Sequence, residues 1–320
     1  MGRFVLGVDG GGTKTVLCVA DEQGREAFSA LTGPTSPKAV DPGQARENMR
    51  AGAEALASAG ADLAAVERAV YGLGGLDLPE ERPFFERMIA DAGLPAGPGA
   101  LVVNDGLLPL YAAGLDAGTV LVAGTGSIAF HISPSGVVER AGGWGYGLSD
   151  LGSGNWVGAE AIRCALLALD GAANPDPLTD DVARGLGLER PEDLFRWASS
   201  PHDESTVASL AKTVLEGASP ACRRIRDAAA EHIAALYWAI VSRCPDAAGE
   251  PVVCAGSLFK NDAFFDIVSI RAGRVAGRLQ GASPEVLRAS AQPVAGAVAL
   301  ACGLLAESIV PPMEYPPRPA

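Results

Sequence analysis

The sequence predicts an α/β protein of two lobes, and three observations carry this prediction. Short apolar runs typical of buried strands alternate with amphipathic helical segments, a pattern that favours mostly parallel sheets. A strand-turn-strand layout near the N-terminus recurs later in the chain, which indicates a duplication. The chain has 320 residues and 48% hydrophobic content, which is ample for two buried cores.

A glycine-rich turn, Asp9-Gly10-Gly11-Gly12-Thr13-Lys14, joins the first two predicted strands. Successive glycines let a backbone approach a bulky ligand closely, and the amides, hydroxyl and ammonium of this turn suit phosphate oxygens. The candidate phosphate ligands are Gly11, Gly12, Thr13 and Lys14, and Asp9 is a candidate ligand of a hydrated divalent cation. A hairpin that binds nothing stays open, because the turn matches neither of the common glycine-rich nucleotide patterns.

The second copy of this layout spans Thr119–Arg140, with the turn Gly124-Thr125-Gly126-Ser127 between two apolar runs. Two hairpins with phosphate-compatible turns indicate a duplicated nucleotide clamp. Thr125, Gly126 and Ser127 are therefore further candidate phosphate ligands.

Strands and helices alternate between the two hairpins. Asp41-Pro42 is a typical N-cap followed by proline at the first helical position, and it predicts a helix to about Ala59. Buried strands are predicted at Ala69–Leu73, which runs into Gly74-Gly75, and at 101–103, which ends in Asn104-Asp105. Ligands of parallel sheets bind beyond the carboxyl ends of the strands, so both strand ends are candidate site segments.

Asp105 is the candidate catalytic base. A carboxylate at a strand end near phosphate-binding turns is what phosphoryl transfer needs to orient a hydroxyl and accept its proton. Asp9 adjoins the phosphate turn itself and is assigned to the metal. An Asp directly after a strand is also a common turn former or helix cap, and that alternative stays open.

A glycine-rich loop from Gly142 to Trp156 carries Trp144, Asp150 and Ser153. Carboxylates accept hydrogen bonds from sugar hydroxyls and an aromatic ring packs against the sugar C–H face, so the loop is a candidate sugar site. A mobile loop with one buried tryptophan is the alternative. A helix is expected to begin near Gly154.

The last third of the chain is predicted to be mostly helical, over 205–215, 220–242 and Pro293–Ser308. A buried strand from Val252 breaks at Gly256-Ser257, which we assign to the adenine side of the nucleotide pocket. A plain strand-to-helix turn explains the same residues.

The composition of the chain limits the classes of partner that it can bind. The formal net charge of -13 argues against nucleic acid or an anionic membrane as the main partner. Without an apolar leader or membrane-length run, a cytoplasmic protein is expected. The six cysteines are scattered singly, so no disulfide or structural zinc is expected.

These motifs, in this order, resemble the N-acetylglucosamine kinase group of the BadF/BadG-type ATPases, in the superfamily of actin, sugar kinases and heat-shock ATPases. The resemblance spans nearly the whole chain, including Pro293–Ala297 at the start of the last helix. It implies two ribonuclease-H-like, actin-like ATPase lobes that hold ATP and Mg²⁺ between them and close over a sugar whose 6-hydroxyl attacks the γ-phosphate. The implied lobes are 1–117, with a C-terminal helix 295–320 packing back, and 118–294 with helical excursions. A homodimer is also implied.

Residue by residue, the resemblance makes Asp105 the base and Asp9 the magnesium-side carboxylate. The nucleotide ligands are then Gly11, Gly12, Thr13, Lys14, Thr125, Gly126, Ser127, Gly256 and Ser257. The sugar ligands are Asn104, Asp105, Gly126, Trp144, Asp150 and Ser153.

Four positions depart from the family pattern and bear on the acceptor. Ser149 and Leu151 flank Asp150 where the family usually has Gly and Glu, Thr35 or Ser36 replaces an asparagine, and Gly74 replaces a serine. N-acetylglucosamine is the predicted acceptor, with glucosamine, N-acetylmuramic acid, N-acetylmannosamine or a neutral hexose left open. The alternative function is an ATPase activator or nucleotide-dependent switch acting on a protein partner.

Overall fold

The computed structural model describes residues 3–145 and 147–312. Its strands, in chain order, are β1 (Phe4–Gly10), β2 (Thr15–Asp21), β3 (Glu26–Thr32), β4 (Val66–Leu73), β5 (Ala100–Val103), β6 (Gly118–Ala123), β7 (Ser127–Ile132), β8 (Val138–Gly142), β9 (Val252–Ala255) and β10 (Val286–Arg288).

Its α-helices are α1 (Pro42–Ser58), α2 (Arg82–Asp91), α3 (Leu108–Ala112), α4 (Gly154–Leu169), α5 (Leu178–Gly185), α6 (Leu194–Ala198), α7 (Glu204–Glu216), α8 (Pro220–Arg243), α9 (Asp262–Gln280) and α10 (Pro293–Leu305). In the part of the chain that the structure describes, no helix combines the length and apolarity that crossing a membrane requires.

The chain divides into two compact units. The first contains the chain up to Gly118, Ile132–Glu139 and the chain from Ala289, and the second contains Thr119–His131 and Arg140–Arg288. Their sheets have the strand orders β3-β2-β1-β4-β5 and β8-β7-β6-β9-β10. In both sheets the third, second, first, fourth and fifth strands of the unit, counted along the chain, lie side by side in that order. The duplication that the two hairpins indicate therefore extends to whole sheets.

In the first unit, β1 pairs antiparallel with β2 and parallel with β4, which in turn pairs parallel with β5. Asp41 caps α1 as predicted, its Oδ1 accepting from the amides of Gly43 and Gln44 at 2.9 and 3.1 Å. The core lies between the sheet and α1 and α2, around side chains such as Tyr71 and Phe85 that are fully buried. The parallel strands carry the ends of β1, β4 and β5 to one edge of the sheet.

Helix α10 packs against β1 and α3. A Cβ on Gly7 would lie 2.7 Å from Val298, and one on Gly296 would lie 2.0 Å from the carbonyl oxygen of Leu108. These glycines allow the close approach that the Ala- and Gly-rich sequence predicts.

The helix predicted from the residues over Pro293–Ser308 is close to the observed one, whereas the bounds 295–320 that the resemblance implies are wrong within the described residues. The helix begins at Pro293 and ends at Leu305. Glu307 has a left-handed φ of 54°, which stops the helix, and Pro311 and Pro312 cannot extend it. Residues 313–320 lie outside the described part of the chain.

In the second unit, β9 pairs parallel with both β6 and β10. The core is formed by the sheet with α4, α7, α8 and α9, and Tyr237, Phe259 and Phe264 are fully or almost fully buried in it. The predicted helices over 205–215 and 220–242 are confirmed as α7 and α8, whose N-caps are Asp203 and Ser219.

Candidate active site

The glycine-rich turn between β1 and β2 is a hairpin as predicted. The Gly11 amide closes it by donating to the Lys14 carbonyl at 3.1 Å, so that amide is already used. Gly12, Thr13 and Lys14 are exposed. The groups left to reach a phosphate are therefore the exposed backbone, the Thr13 hydroxyl and the Lys14 ammonium.

Asp9 lies at the end of β1 beside this turn and is partly buried. Burial raises the pKa of its carboxyl to about 6, and the Lys14 charge opposes that rise. Among the described residues no cluster of three or more His, Cys, Asp or Glu could hold a metal ion. A single carboxylate still fits Mg²⁺ in a phosphoryl-transfer site, since this ion keeps several waters and is held by one or two carboxylates together with phosphates.

Asp105 follows β5 and lies against the backbone at the ends of two neighbouring strands. Its Oδ2 is 3.8 Å from the position of a Cβ on Gly11 and 3.0 Å from that of a Cβ on Gly74. Burial, with the charges of Asp9 and Asp77 as further causes, raises the pKa of Asp105 to about 7. The structure thus places Asp9, Gly11 and Asp105 together, and gives Asp105 the pKa of a general base near neutral pH.

Asn104 is buried and its amide is already engaged. Its Nδ2 donates to the Leu76 carbonyl at 3.1 Å and to Asp77 Oδ1 at 3.0 Å, while its Oδ1 accepts from the Gly106 amide at 2.9 Å. A direct role for this side chain in sugar binding stays a prediction. Its observed contacts hold the turn that carries Asp105.

The segment that follows β3 contains the departures Thr35 and Ser36, both buried. Thr35 Oγ1 forms a hydrogen bond with Thr15 Oγ1 at 2.9 Å. Ser36 Oγ lies 3.1 Å from the position of a Cβ on Gly75. Gly74 donates its amide to the Gly10 carbonyl at 2.7 Å, which joins the ends of β1 and β4.

In the second unit, the turn after β6 is held on the start of α4. Gly154 and Asn155 donate their amides to the carbonyls of Gly124 and Thr125 at 2.7 and 3.1 Å. The Ser127 hydroxyl donates to the Leu151 carbonyl at 3.0 Å. Ser127 therefore ties the turn to the glycine-rich loop, and its predicted contact with phosphate is untested.

Asp150 approaches the turn formed by Gly124-Thr125-Gly126-Ser127. Its Oδ2 is 2.6 Å from the position of a Cβ on Gly126, so a larger residue there would displace the Asp150 carboxylate, and its Oδ1 accepts from the Gly145 amide at 3.3 Å. Asp150 itself has a left-handed φ of 53°. Trp144 is 55% exposed, with the Arg140 guanidinium 4.4 Å from its ring centre.

Ser153 is placed differently from the other predicted sugar ligands. It is fully buried, and its hydroxyl caps α4 by accepting from the Trp156 amide at 3.2 Å. This placement favours a structural role, because a capping hydroxyl with no exposed surface already has its partner.

Gly256 has a φ of 104°, and a Cβ there would lie 2.4 Å from the Ala123 carbonyl oxygen. Glycine thus lets the Gly256-Ser257 turn pack against the end of β6, next to the phosphate turn. A cavity of about 570 Å³ adjoins both turns, with Thr125 and Ser257 in its wall. Helix α7 lines it through Ser205, Ser209, Lys212 and Glu216. These α7 residues were not predictable from the sequence, since their spacing on one helix face is the same as that of an ordinary amphipathic helix.

A family model matches residues 6–301, under the description BadF/BadG/BcrA/BcrD ATPase family. The chain belongs to this family. The predicted family and the predicted two-lobed, actin-like ATPase fold are thereby confirmed.

Similar proteins include two curated kinases. An N-acetylmuramic acid/N-acetylglucosamine kinase of Clostridium acetobutylicum is 29% identical over 237 residues, which cover 72% of this chain and 76% of that protein. An N-acetyl-D-glucosamine kinase of Dictyostelium discoideum is 28% identical over 213 residues, which cover 63% of this chain and 66% of that protein.

Among solved structures, a candidate N-acetylglucosamine kinase from Chromobacterium violaceum matches with a TM-score of 0.72 and 26% identity, over 93% of this chain and 99% of that one. The similarity therefore extends over both units of this BadF/BadG-type protein.

Proposed function

We propose that this protein is a sugar kinase that transfers the γ-phosphoryl group of ATP to the 6-hydroxyl of N-acetylglucosamine. The enzyme class, an ATP-dependent carbohydrate kinase, is confirmed by the named relatives and the matching kinase structure.

The observation that carries the proposal is Asp105. A carboxylate whose pKa is raised to about 7 is half ionised near neutral pH and can take the proton of an attacking hydroxyl. It lies beside the glycine-rich turn, whose exposed groups suit a phosphate. A protein that only binds or hydrolyses ATP has no need of such a base for an alcohol.

The nucleotide is assigned to backbone and short side chains. In the first unit these are Gly12 and Thr13, with the Lys14 ammonium beside them, while Gly11 shapes the turn through its own hydrogen bond. In the second unit they are Thr125, Gly126, Ser127, Gly256 and Ser257. Asp9 would hold Mg²⁺, which when bound neutralises charge on the transferred phosphoryl group. The cavity lined by Ser257 and α7 is of suitable size for the nucleoside portion.

The sugar is assigned to Asn104, Asp105, Gly126, Trp144, Asp150 and Ser153. Asp150 and Asp105 would accept hydrogen bonds from sugar hydroxyls, and the exposed Trp144 ring would pack against the C–H face of the sugar. Within this set, Asn104 and Ser153 act through the backbone they hold, by their contacts in the structure.

The test is a coupled assay of ADP release with ATP and Mg²⁺ across N-acetylglucosamine, glucosamine, N-acetylmuramic acid, N-acetylmannosamine and glucose, with a no-sugar control. The proposal expects the largest stimulation with N-acetylglucosamine. Phosphorus NMR of the product should show coupling to the C6 protons, and the 6-deoxy sugar should be inert. Stronger stimulation by another sugar would change the acceptor, whereas ATP binding without stimulation by any sugar would favour the activator or switch.

A further inference from the structure

The carboxylate of Asp77 connects three segments of the first unit, those that follow β3, β4 and β5. Asp77 lies after β4. Its Oδ1 accepts from Asn104 Nδ2 at 3.0 Å, and its Oδ2 forms an ion pair with Lys38 Nζ. Lys38 belongs to the segment after β3, and Asn104 follows β5 directly. One side chain therefore links three segments of the first unit, one of which contains the candidate base.

The orientation of Asp77 is itself fixed. Its amide and that of Leu78 both donate to Glu81 Oε2, at 2.6 and 2.8 Å. The side chain of Asp77 is 14% exposed, so it faces the protein rather than water. A carboxylate that is paired with a lysine, on a backbone anchored by Glu81, can act as a fixed acceptor for a neighbour.

The neighbour, Asn104, shapes the backbone turn that contains the candidate base, Asp105. Asn104 Oδ1 accepts from the Gly106 amide at 2.9 Å, and the Asn104 carbonyl accepts from the Leu107 amide at 3.2 Å. Asp105 lies between these contacts in the chain. Rotation of the Asn104 side chain would break the hydrogen bond from the Gly106 amide. The turn that contains Asp105 would then keep only its backbone bond from Leu107 to the Asn104 carbonyl and would loosen.

We propose that Asp77 is a positioning residue for phosphoryl transfer, which fixes Asn104 and through it the Asp105 carboxylate. This inference rests on the proposed function in which Asp105 is the base. Misplacement of a reacting group by about 1 Å can lower a rate on the order of 100-fold, so a support of this kind has a measurable effect.

Two substitutions of Asp77 distinguish the loss of its hydrogen bond to Asn104 from the loss of its charge. Asp77→Asn keeps an oxygen for Asn104 Nδ2, whereas Asp77→Ala removes it. Asp77→Ala should lower kcat on the order of 100-fold, and Asp77→Asn by less than about tenfold, while the KM for ATP changes less than about twofold. Glu67→Ala is the matched control, since Glu67 lies at the other end of β4 in an ion pair with Arg3 and should leave kcat unchanged. Equal losses in the two Asp77 variants, or a kcat unchanged in Asp77→Ala, would overturn the inference.

A double-mutant cycle tests whether Asp77 acts through Asp105. In an Asp105→Asn background, Asp77→Ala should cost little further activity, because the group it positions no longer serves as the base. The same fold loss in both backgrounds would mean that Asp77 acts elsewhere.

Hydrogen exchange supplies a readout independent of activity and of the acceptor. In the folded Asp77→Ala protein, checked by its melting curve, the amides of Gly106 and Leu107 should exchange faster than in the parent, while those of β1 and β2 stay protected. Unchanged exchange at Gly106 and Leu107 would overturn the inference even if no sugar stimulated turnover, whereas faster exchange without sugar-stimulated turnover would leave the positioning intact and remove the proposed function.

Discussion

The two sheets have the same strand order but different chemistry at the carboxyl ends of corresponding strands. In the first unit, β1 ends at Asp9-Gly10, and Asp77 and Asp105 follow β4 and β5. In the second, β6 and β9 are followed by the glycine turns that start at Gly124 and Gly256, and β10 by Ala289. One copy of the sheet therefore carries acids, and the other carries backbone and hydroxyl groups.

This difference indicates a division of labour between the copies. Burial, with the charges of Asp9 and Asp77 as further causes, raises the pKa of Asp105, and an acid with such a pKa is suited to exchange protons near neutral pH. Glycine turns and helix N-termini offer amides to phosphates without any such titration. The proposal thus assigns proton transfer to the first unit and most of the nucleotide contacts to the second.

The largest effect is expected for Asp105→Asn. Turnover should fall on the order of 100-fold or more, because the amide cannot accept the proton, while the affinity for ATP stays nearly unchanged. Turnover can be followed by ADP release and ATP affinity by calorimetry. Asp91→Asn, an exposed acid at the end of α2, is the control for loss of charge. Full activity in Asp105→Asn would show that Asp105 is not the base.

Substitution of Asp150 tests the second unit as a source of sugar contacts. Asp150→Asn should raise the KM for the sugar about tenfold, because a charged acceptor is lost, and should leave the KM for ATP unchanged. Asparagine tolerates the left-handed backbone at this position, so the loop should keep its shape. Asp266→Asn on the exposed face of α9 is the control. An unaltered KM for the sugar would take the loop out of the sugar site.

A pair of glycine substitutions sharpens the structural side of the comparison. Gly256→Ala should lower the free energy of unfolding by at least about 1 kcal/mol and weaken ATP binding, since the new Cβ meets the Ala123 carbonyl and the φ is positive. Gly273→Ala in α9, where a Cβ meets nothing within 4 Å, should instead raise the free energy of unfolding by about 0.5–1 kcal/mol. Thermal melts and ATP titration measure both. Equal stability of the two variants would contradict a strained turn.

The smallest effect concerns stability against pH. The pKa of Asp105 is raised from 3.8 to about 7 in the folded protein, so between these values the folded state keeps a proton that the unfolded state has lost. The free energy of unfolding should therefore fall as pH rises through this window. Asp105→Asn removes this dependence and should melt a few degrees higher than the parent at pH 8. A melting temperature lower than the parent's would mean that the carboxylate stabilises the fold.

Much of the fold could be predicted from local patterns. The Asp41 cap, the glycine turns and the apolar strands are short-range signals, and they gave elements close to the observed ones. Helix α9 and strand β10 were not predicted, and β10 is short, since it spans only Val286–Arg288.

The site was predictable only where its residues lie at the ends of strands. Asp9 lies within the last two residues of β1 and Asp105 within two residues of the end of β5. Asp77 lies four residues beyond β4, and its contacts with Lys38 and Asn104 join residues distant in sequence. The cap formed by Ser153 and the bond from Ser127 to Leu151 likewise depend on the folded loop. A hydroxyl in a glycine-rich sequence does not reveal whether it faces a ligand or its own backbone.

The pH dependence of phosphoryl transfer tests the central assignment most directly. With N-acetylglucosamine and saturating ATP and Mg²⁺, kcat should be constant above a pH of about 7 and fall about tenfold per pH unit below it, as Asp105 takes up a proton. In Asp105→Asn the residual kcat should not fall in this way as the pH is lowered. A profile that is flat between about pH 5.5 and 8.5 in the parent, or the same limb in both proteins, would contradict Asp105 as the base.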